Sequence, residues 1–291
     1  MSENTVYDFE NKKLVIKEPI LGMSLESTLE VKEVTQNSDE GTILACFYEI
    51  DREGIKLLHG PSRGYYSDGT LSGESWYFEG KKVGKSQTFF PNGDLCSSAY
   101  YANGVLEGKE EYFYEDGTLK TEISHKRGVL DGEVKLYRES GKIKRSIHYR
   151  SGKKDGAERI WNALGILVVE KEYQENKAVR ETYWNGKGVM VEQWLYHAPG
   201  ICSELKDVIK WDSNGQLRYE KIFRGEAFTY REFDEKGELC KSFEGIWDGV
   251  KERITKYILG QVTKAEAAIA YQIDLHVNSV FSDGKPSNTL I

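Results

Sequence analysis

Between Tyr65 and Leu239 the chain repeats one short pattern of apolar and polar positions: an aromatic residue, three residues often ending in Asn or Asp, a glycine, one residue, then an aliphatic side chain. Phe89-Phe90-Pro91-Asn92-Gly93-Asp94-Leu95 shows it in full. The residues after it alternate, Ser97, Ala99 and Tyr101 against Cys96, Ser98 and Tyr100, until Ala102-Asn103-Gly104 turns the chain again. Period-two alternation between Gly-containing turns predicts two antiparallel strands per unit, with both central positions of the Asn-Gly and Asp-Gly pairs taking positive φ.

The unit recurs every 24 residues, in glycine ladders beginning at Gly60, Gly69 and Gly80. An aromatic column follows the same step, Tyr65, Phe89, Phe113, Tyr137 and Trp161, as does an aliphatic one, Leu71, Leu95, Leu119, Ile143 and Leu167. Tyr77, Tyr101, His125, Tyr149 and Tyr173 form a third. Beyond Gly165 the aromatic steps become 23, 27 and 22 residues, at Trp184, Trp211 and Phe233, giving eight copies in all. The expected fold is all-β: an elongated antiparallel sheet of tandem hairpins in which identical columns lie side by side.

The ends depart from the pattern. Residues 1–40 are read as a strand-rich capping segment in which Leu14-Val15-Ile16 and Thr28-Leu29-Glu30-Val31-Lys32 cover the first repeat's open edge. The polar run Gln36-Asn37-Ser38-Asp39-Glu40 is read as the loop before a repeat array over 41–262, and Ile254 to Val262 as a degenerate further copy. Thr263-Lys264-Ala265-Glu266 opens as a capping box, so 263–291 is expected to hold a short C-terminal capping helix, through about Leu275, and a tail.

Tyr114-Glu115-Asp116-Gly117-Thr118-Leu119 and Tyr101-Ala102-Asn103-Gly104-Val105-Leu106-Glu107-Gly108 resemble the MORN repeat variant found in many bacterial proteins, over roughly residues 60–250. The resemblance implies a platform for partners without catalytic residues of its own. Some relatives are antitoxin-like, and some MORN proteins are proposed to touch lipid. The chain departs from the eukaryotic form of the repeat, which has more glycine and a Gly-x-Trp centre.

Composition narrows the function classes. A net charge of −7 and a pI near 5.5 disfavour binding nucleic acid through bulk charge. No apolar run is long enough to span a bilayer, and MSENTVYDFENKKLVIKEPI lacks the apolar stretch of a secretory signal, so a cytoplasmic location is expected. Cys46, Cys96, Cys202 and Cys240 have no paired spacing, and the five histidines have no ligand spacing, so no metal or cofactor is expected. Gly60-Pro61-Ser62-Arg63-Gly64 has the form of a hydrolase elbow, but hairpin residues follow it where a helix is needed.

The expected function is therefore a non-enzymatic scaffold that binds a protein along an extended sheet face, with an antitoxin-like neutraliser or a peripheral binder of anionic lipid as alternatives. If the Leu and Tyr columns face inward, then Trp76, Tyr100 and His148, each one residue from a Tyr column, line the opposite face as partner-binding candidates. Lys142, Lys144, Arg145 and Arg150, with Lys153 and Lys154, are candidates for an anionic-ligand patch, although neighbouring carboxylates favour a salt-bridged face.

Overall fold

The computed structural model describes residues 5–8, 13–16, 32–39, 41–197, 205–249 and 252–259, with strands joined by short turns and loops and no helix among them. The expected helix after Thr263 lies outside them, as does Thr28 to Val31. Two compact units divide the chain, Met1–Gly188 and Val189–Ile291.

In the first unit β1 (Thr5–Asp8) and β2 (Lys13–Ile16) pair with each other as a separate two-stranded sheet. Leu14-Val15-Ile16 thus pairs with β1 as one side of its own hairpin. An antiparallel meander follows: β3 (Lys32–Asn37), β4 (Ile43–Arg52), β5 (Ile55–Tyr65), β6 (Leu71–Phe78), β7 (Lys81–Phe89), β8 (Leu95–Ala102) and β9 (Val105–Phe113). It continues through β10 (Leu119–Lys126), β11 (Val129–Tyr137), β12 (Ile143–Arg150), β13 (Lys153–Trp161), β14 (Leu167–Gln174) and β15 (Lys177–Trp184), each strand pairing with the next. The second unit repeats the design with β16 (Met190–Tyr196), β17 (Lys206–Trp211), β18 (Leu217–Arg224), β19 (Ala227–Phe233), β20 (Leu239–Trp247) and β21 (Glu252–Leu259).

Two turn geometries alternate. At the Asn92-Gly93 end, the Gly93 N–H donates to the Phe90 carbonyl and the Phe90 N–H to the Asp94 carbonyl, both at 2.8 Å, and of the loop residues only Gly93 has positive φ. This is a three-residue loop ending in a bulge glycine. The two-residue turn expected there is found at the opposite end of each strand, where Arg127 (φ 51°) and Gly128 (φ 78°) are both left-handed. Its N–H reaches back to the preceding hairpin, Gly128 donating to the Leu106 carbonyl at 2.7 Å. Ser38 to Thr42 makes the first kind of loop, with Gln36 and Asn37 in β3, so the polar run is a hairpin and not a lead-in loop.

The Gly60 ladder has a third role. Ile123 opposes Val134 and His125 opposes Leu130, so Asp131-Gly132-Glu133 bulges against Ser124 alone. Gly132 has φ 110°, and a Cβ there would lie 2.9 Å from that of Ser124. Only glycine fits such a bulge.

Within each unit the strands form one layer, and side chains are mostly half-buried. The buried apolar residues include Tyr48, Ile50, Val83 and Ile147 in the first unit and Val208, Phe223 and Phe228 in the second, Ile50 being the most completely covered. The aromatic and aliphatic columns meet across every hairpin, with Tyr65 opposing Leu71, Phe89 Leu95, Phe113 Leu119, Tyr137 Ile143 and Trp161 Leu167.

Candidate functional site

Directly opposed residues share a face, so the register sorts the side chains of the first unit. One face carries Tyr77, Tyr101, His125, Tyr149 and Tyr173 together with Ala99, Ile123, Val134, Ile147, Glu110 and Glu158. The other carries Trp76, Tyr100, Ser124, His148 and Glu172, opposed to Pro61, Lys85, Lys109, Glu133 and Ala157. Each hairpin shifts register just after its loop, as between Thr88/Ser97 and Phe89/Leu95. Phe89 and Leu95 thus lie with Gln87 and Ser98, not with Ser97 and Tyr101, and the Leu and Tyr columns occupy opposite faces. The alternation expected from Leu95 through Tyr101 fails at that bulge.

On the tyrosine face the carboxylates are held by neighbours. Glu110 accepts from the Tyr112 hydroxyl at 2.7 Å and contacts His125 Nε2 at 2.9 Å. That bond, with burial, pushes the Tyr112 hydroxyl up to about 12. Glu158, whose side chain is 4% exposed, is bound by Arg145 and by Lys154 at 2.8 Å. Burial would raise its carboxyl, but the two cations outweigh that and hold it below the usual range. Burial, and then the Glu158 charge, pushes the Tyr173 hydroxyl well above its ordinary value. Glu181 is paired with Lys171 at 2.8 Å.

The opposite face has its own ion pairs. Lys109 and Lys135 hold Glu122 at 2.9 and 3.9 Å, and Arg159 holds Glu170 at 2.7 Å. Tyr100 is 39% exposed, whereas Trp76 is half-buried between buried Pro61 and Val83. His148 Nδ1 lies 2.6 Å from the Asp155 carbonyl, and its ring covers Gly156. The three candidates therefore share one column, in which Ser124 stands between Tyr100 and His148.

The basic candidates do not converge. Arg145 is spent on Glu158, Arg150 lies 3.7 Å from Asp155, and Lys142 reaches the Leu164 carbonyl at 3.3 Å. Lys144 is half-buried near the start of β12. Ser62 sits in the middle of β5, opposed to Phe47 and Ser75, with no strand-to-helix elbow. Among the described residues no group of His, Cys, Asp and Glu is arranged to hold a metal ion.

The second unit has a face that the repeat arithmetic missed. Lys206 lies over Trp194 at 3.8 Å, Lys210 over Tyr219 at 5.9 Å, and Lys241 over Tyr230 at 5.7 Å. Tyr230 and Phe243 stack with centroids 4.3 Å apart. A signal was present in the alternation of Trp194, Tyr196 and Lys206 to Lys210, but only the cross-strand register brings these residues together.

The MORN repeat variant pattern matches residues 82–103, 106–127 and 130–151. These segments are MORN repeats. Each matched MORN unit is one strand pair joined by the three-residue loop, and the two-residue turns link successive units. No curated protein matches the chain. Among solved structures, the TcdB2-TccC3-Cdc42 complex is 9% identical over 75% of this chain and 17% of that one, with a TM-score of 0.15. The Photorhabdus luminescens Tc holotoxin pore is 9% identical over 79% and 16%, with a TM-score of 0.17. This chain thus spans less than a fifth of the length of those chains, and TM-scores of that size do not define a common fold.

Proposed function

We propose that the chain is a non-enzymatic scaffold that holds a protein partner against the face carrying Trp76, Tyr100 and His148. MORN repeats commonly serve protein or membrane binding. The observation that carries the protein reading is Tyr100, 39% exposed opposite Lys85 and on the face where Lys109 and Glu122 pair with each other. An exposed rigid aromatic among polar groups is the composition of an interface anchor. The commitment of Arg145 to Glu158 weighs against anionic lipid as the ligand.

A photo-crosslinking residue at position 100, in cells of the source organism, is expected to capture one protein reproducibly. The same probe at Leu164, 72% exposed in a hairpin loop, is expected not to. Equal capture at both positions, or none at 100 together with cosedimentation on vesicles of anionic lipid, would overturn the reading. An antitoxin-like role would appear as a captured toxin whose activity is suppressed.

A further inference from the structure

Successive three-residue loops stand two strands apart, about 9.6 Å, and a side chain from one loop bridges to the hairpin that follows. The Tyr66 hydroxyl does so by donating to the Phe89 carbonyl, the Tyr114 hydroxyl to that of Tyr137, and the Arg138 guanidinium to that of Trp161. Phe90, between Tyr66 and Tyr114 in this series, has no donor, so among the described residues no side chain bonds the Phe113 carbonyl. At that step the sheet margin holds a cleft of about 540 Å³, lined by the aromatic residues Phe90, Phe113 and Tyr114 and by Glu115, Asp116, Lys120 and Glu139.

We infer that this cleft receives an arginine side chain of a partner protein, the incoming guanidinium taking the place that the missing donor leaves beside the Phe113 carbonyl. The chain carries its own template for this, since two repeats further on Arg138 sets its guanidinium on the equivalent carbonyl at 2.8 Å. The rings favour a cation as well, and the Lys120 ammonium already lies 5.4 Å from the centroid of the Tyr114 ring. Glu115, Asp116 and Glu139 are exposed and form no ion pair among the described residues, so three carboxylates against one ammonium leave the lining negative. The Thr118 N–H, at 2.8 Å, holds the Asp116 carboxyl below its usual range and keeps it ionised.

The missing donor and the carboxylates coincide at this one step. A repeat earlier, where Tyr66 supplies the bond, Pro91 and Asn92 stand in the places of Glu115 and Asp116. A repeat later, where Tyr114 supplies it, Ser140 and Ala163 replace Asp116 and Glu139. A guanidinium suits the cleft better than an ammonium because it is flat enough to lie on a ring and can spread its five N–H groups over a carbonyl and several carboxylates. Free arginine would bring its own carboxylate against the three of the lining, whereas a side chain on a peptide does not. The cleft lies at the loop end of β8 and Tyr100 near the other end, so the site does not rest on the partner face proposed above.

The test titrates the isotope-labelled full chain, in low salt, with the capped peptide acetyl-Gly-Arg-Gly-amide. Millimolar peptide is expected to shift the amide resonances of Phe113 to Gly117, and the same peptide with citrulline, the neutral isostere, to leave them in place. Phe90→Tyr restores the donor that Tyr66 and Tyr114 carry, and is expected to keep the melting temperature or raise it while abolishing the shifts. Glu115→Gln combined with Glu139→Gln is expected to weaken binding about fivefold, and free arginine to bind more weakly than the peptide. No shifts with the arginine peptide, equal shifts with the citrulline one, or undiminished binding in Phe90→Tyr would overturn the proposal. Free arginine binding as tightly as the peptide would overturn the assignment to a partner protein.

Discussion

The two units build the same meander but fix it by different means. In the first, three of the residues that stand three before a loop glycine reach forward to the next hairpin: the Tyr66 hydroxyl donates to the Phe89 carbonyl at 2.7 Å, Tyr114 to Tyr137 at 3.0 Å and the Arg138 guanidinium to Trp161 at 2.8 Å, while Phe90 in the same position has no donor. Each bond spans 23 residues. In the second unit, that position is an aspartate that holds its own loop, Asp212 accepting from the Asn214 and Gln216 N–H groups and Asp234 from those of Lys236 and Glu238. The Gln216 and Asn214 amides keep the Asp212 carboxyl below its usual range. Asn162 and Asn185, the last two copies of the first unit, already cap their own loops.

The period breaks where the bonding changes. Spacing is 24 as far as Trp161, the last acceptor of a forward bond, and then becomes 23, 27 and 22. A side chain that must find a carbonyl in the next repeat tolerates no insertion between the two, whereas a loop closed on itself leaves the connecting length free. The Phe89-to-Phe113 step keeps the period although Phe90 carries no donor, so the forward bonds accompany the regular spacing and are not needed at every step. The second unit replaces the lost bonds with a layer of rings and ammonium groups on one face, and with Phe223 and Phe228, each 3% exposed.

The largest expected effect follows from that replacement. Phe228→Ala should cost about 3 to 4 kcal/mol, since its ring packs on Phe223 and Phe243 and fills the space over Gly245. Leu119→Ala, in the half-buried aliphatic column of the first unit, should cost only about 1 to 2 kcal/mol. Denaturant midpoints of the two variants check the ranking. Equal losses would mean that the second unit relies on its rings no more than the first relies on its columns.

Next is Glu158→Gln, expected to cost about 2 kcal/mol at neutral pH by leaving Arg145 and Lys154 without their buried counter-charge. The folded carboxyl lies below its unfolded value of 4.5. Its contribution is therefore complete above that value and disappears as the pH falls through the folded one. The gap between parent and variant should persist at 4.5 and close only as the pH falls further, through the lowered value of the folded carboxyl, as read from melts at a series of pH values. A gap that stays constant would assign the loss to packing.

A smaller loss is expected at a turn. Gly128→Ala combines positive φ with a new Cβ 3.4 Å from that of Val105 and should cost about 1 to 2 kcal/mol. Gly93→Ala has the same strain but open space around it, and should cost about 1 kcal/mol. This contact also explains why Val105 and Val129, 45% exposed, stand at the sheet margin: each packs beneath the turn glycine of the following hairpin. A Gly128→Ala melt indistinguishable from that of Gly93→Ala would remove the packing part of the argument.

The repeat unit, the strand pairs and the aromatic and aliphatic columns were legible because each is a spacing along one chain segment. What the spacing does not contain is the phase between successive strands. One bulge between Leu95 and Ser97 reversed the expected face of the whole Leu column. Glu110, Ile123, Val134, Ile147 and Glu158, directly opposed across five strands, draw alternately on two columns, and only the paired register interleaves them. Trp76, Tyr100 and His148 could be put in one column because all three belong to the same strand phase. The loop at Ser38 was hidden because Asn37 stands where later copies have an aromatic residue.

The smallest effect gives the sharpest test of why the period is kept. Tyr114→Phe removes one hydroxyl that donates to the Tyr137 carbonyl and should cost about 0.5 to 1.5 kcal/mol, the usual net value of such a bond. The informative measurement is a cycle with a one-residue insertion in the turn after Gly128, between donor and acceptor. The insertion displaces the Tyr137 carbonyl, so the hydroxyl loses its partner whether or not it is present. Tyr114→Phe should then cost almost nothing in the inserted chain, giving a coupling energy close to the single-variant loss. The same insertion between Gly215 and Gly237, where Asp212 and Asp234 close their own loops, should be tolerated better than the one after Gly128. If Tyr114→Phe costs as much with the insertion as without it, the hydroxyl does not hold the spacing, and the regular period of the first unit must come from the turn glycines packing on the preceding hairpin.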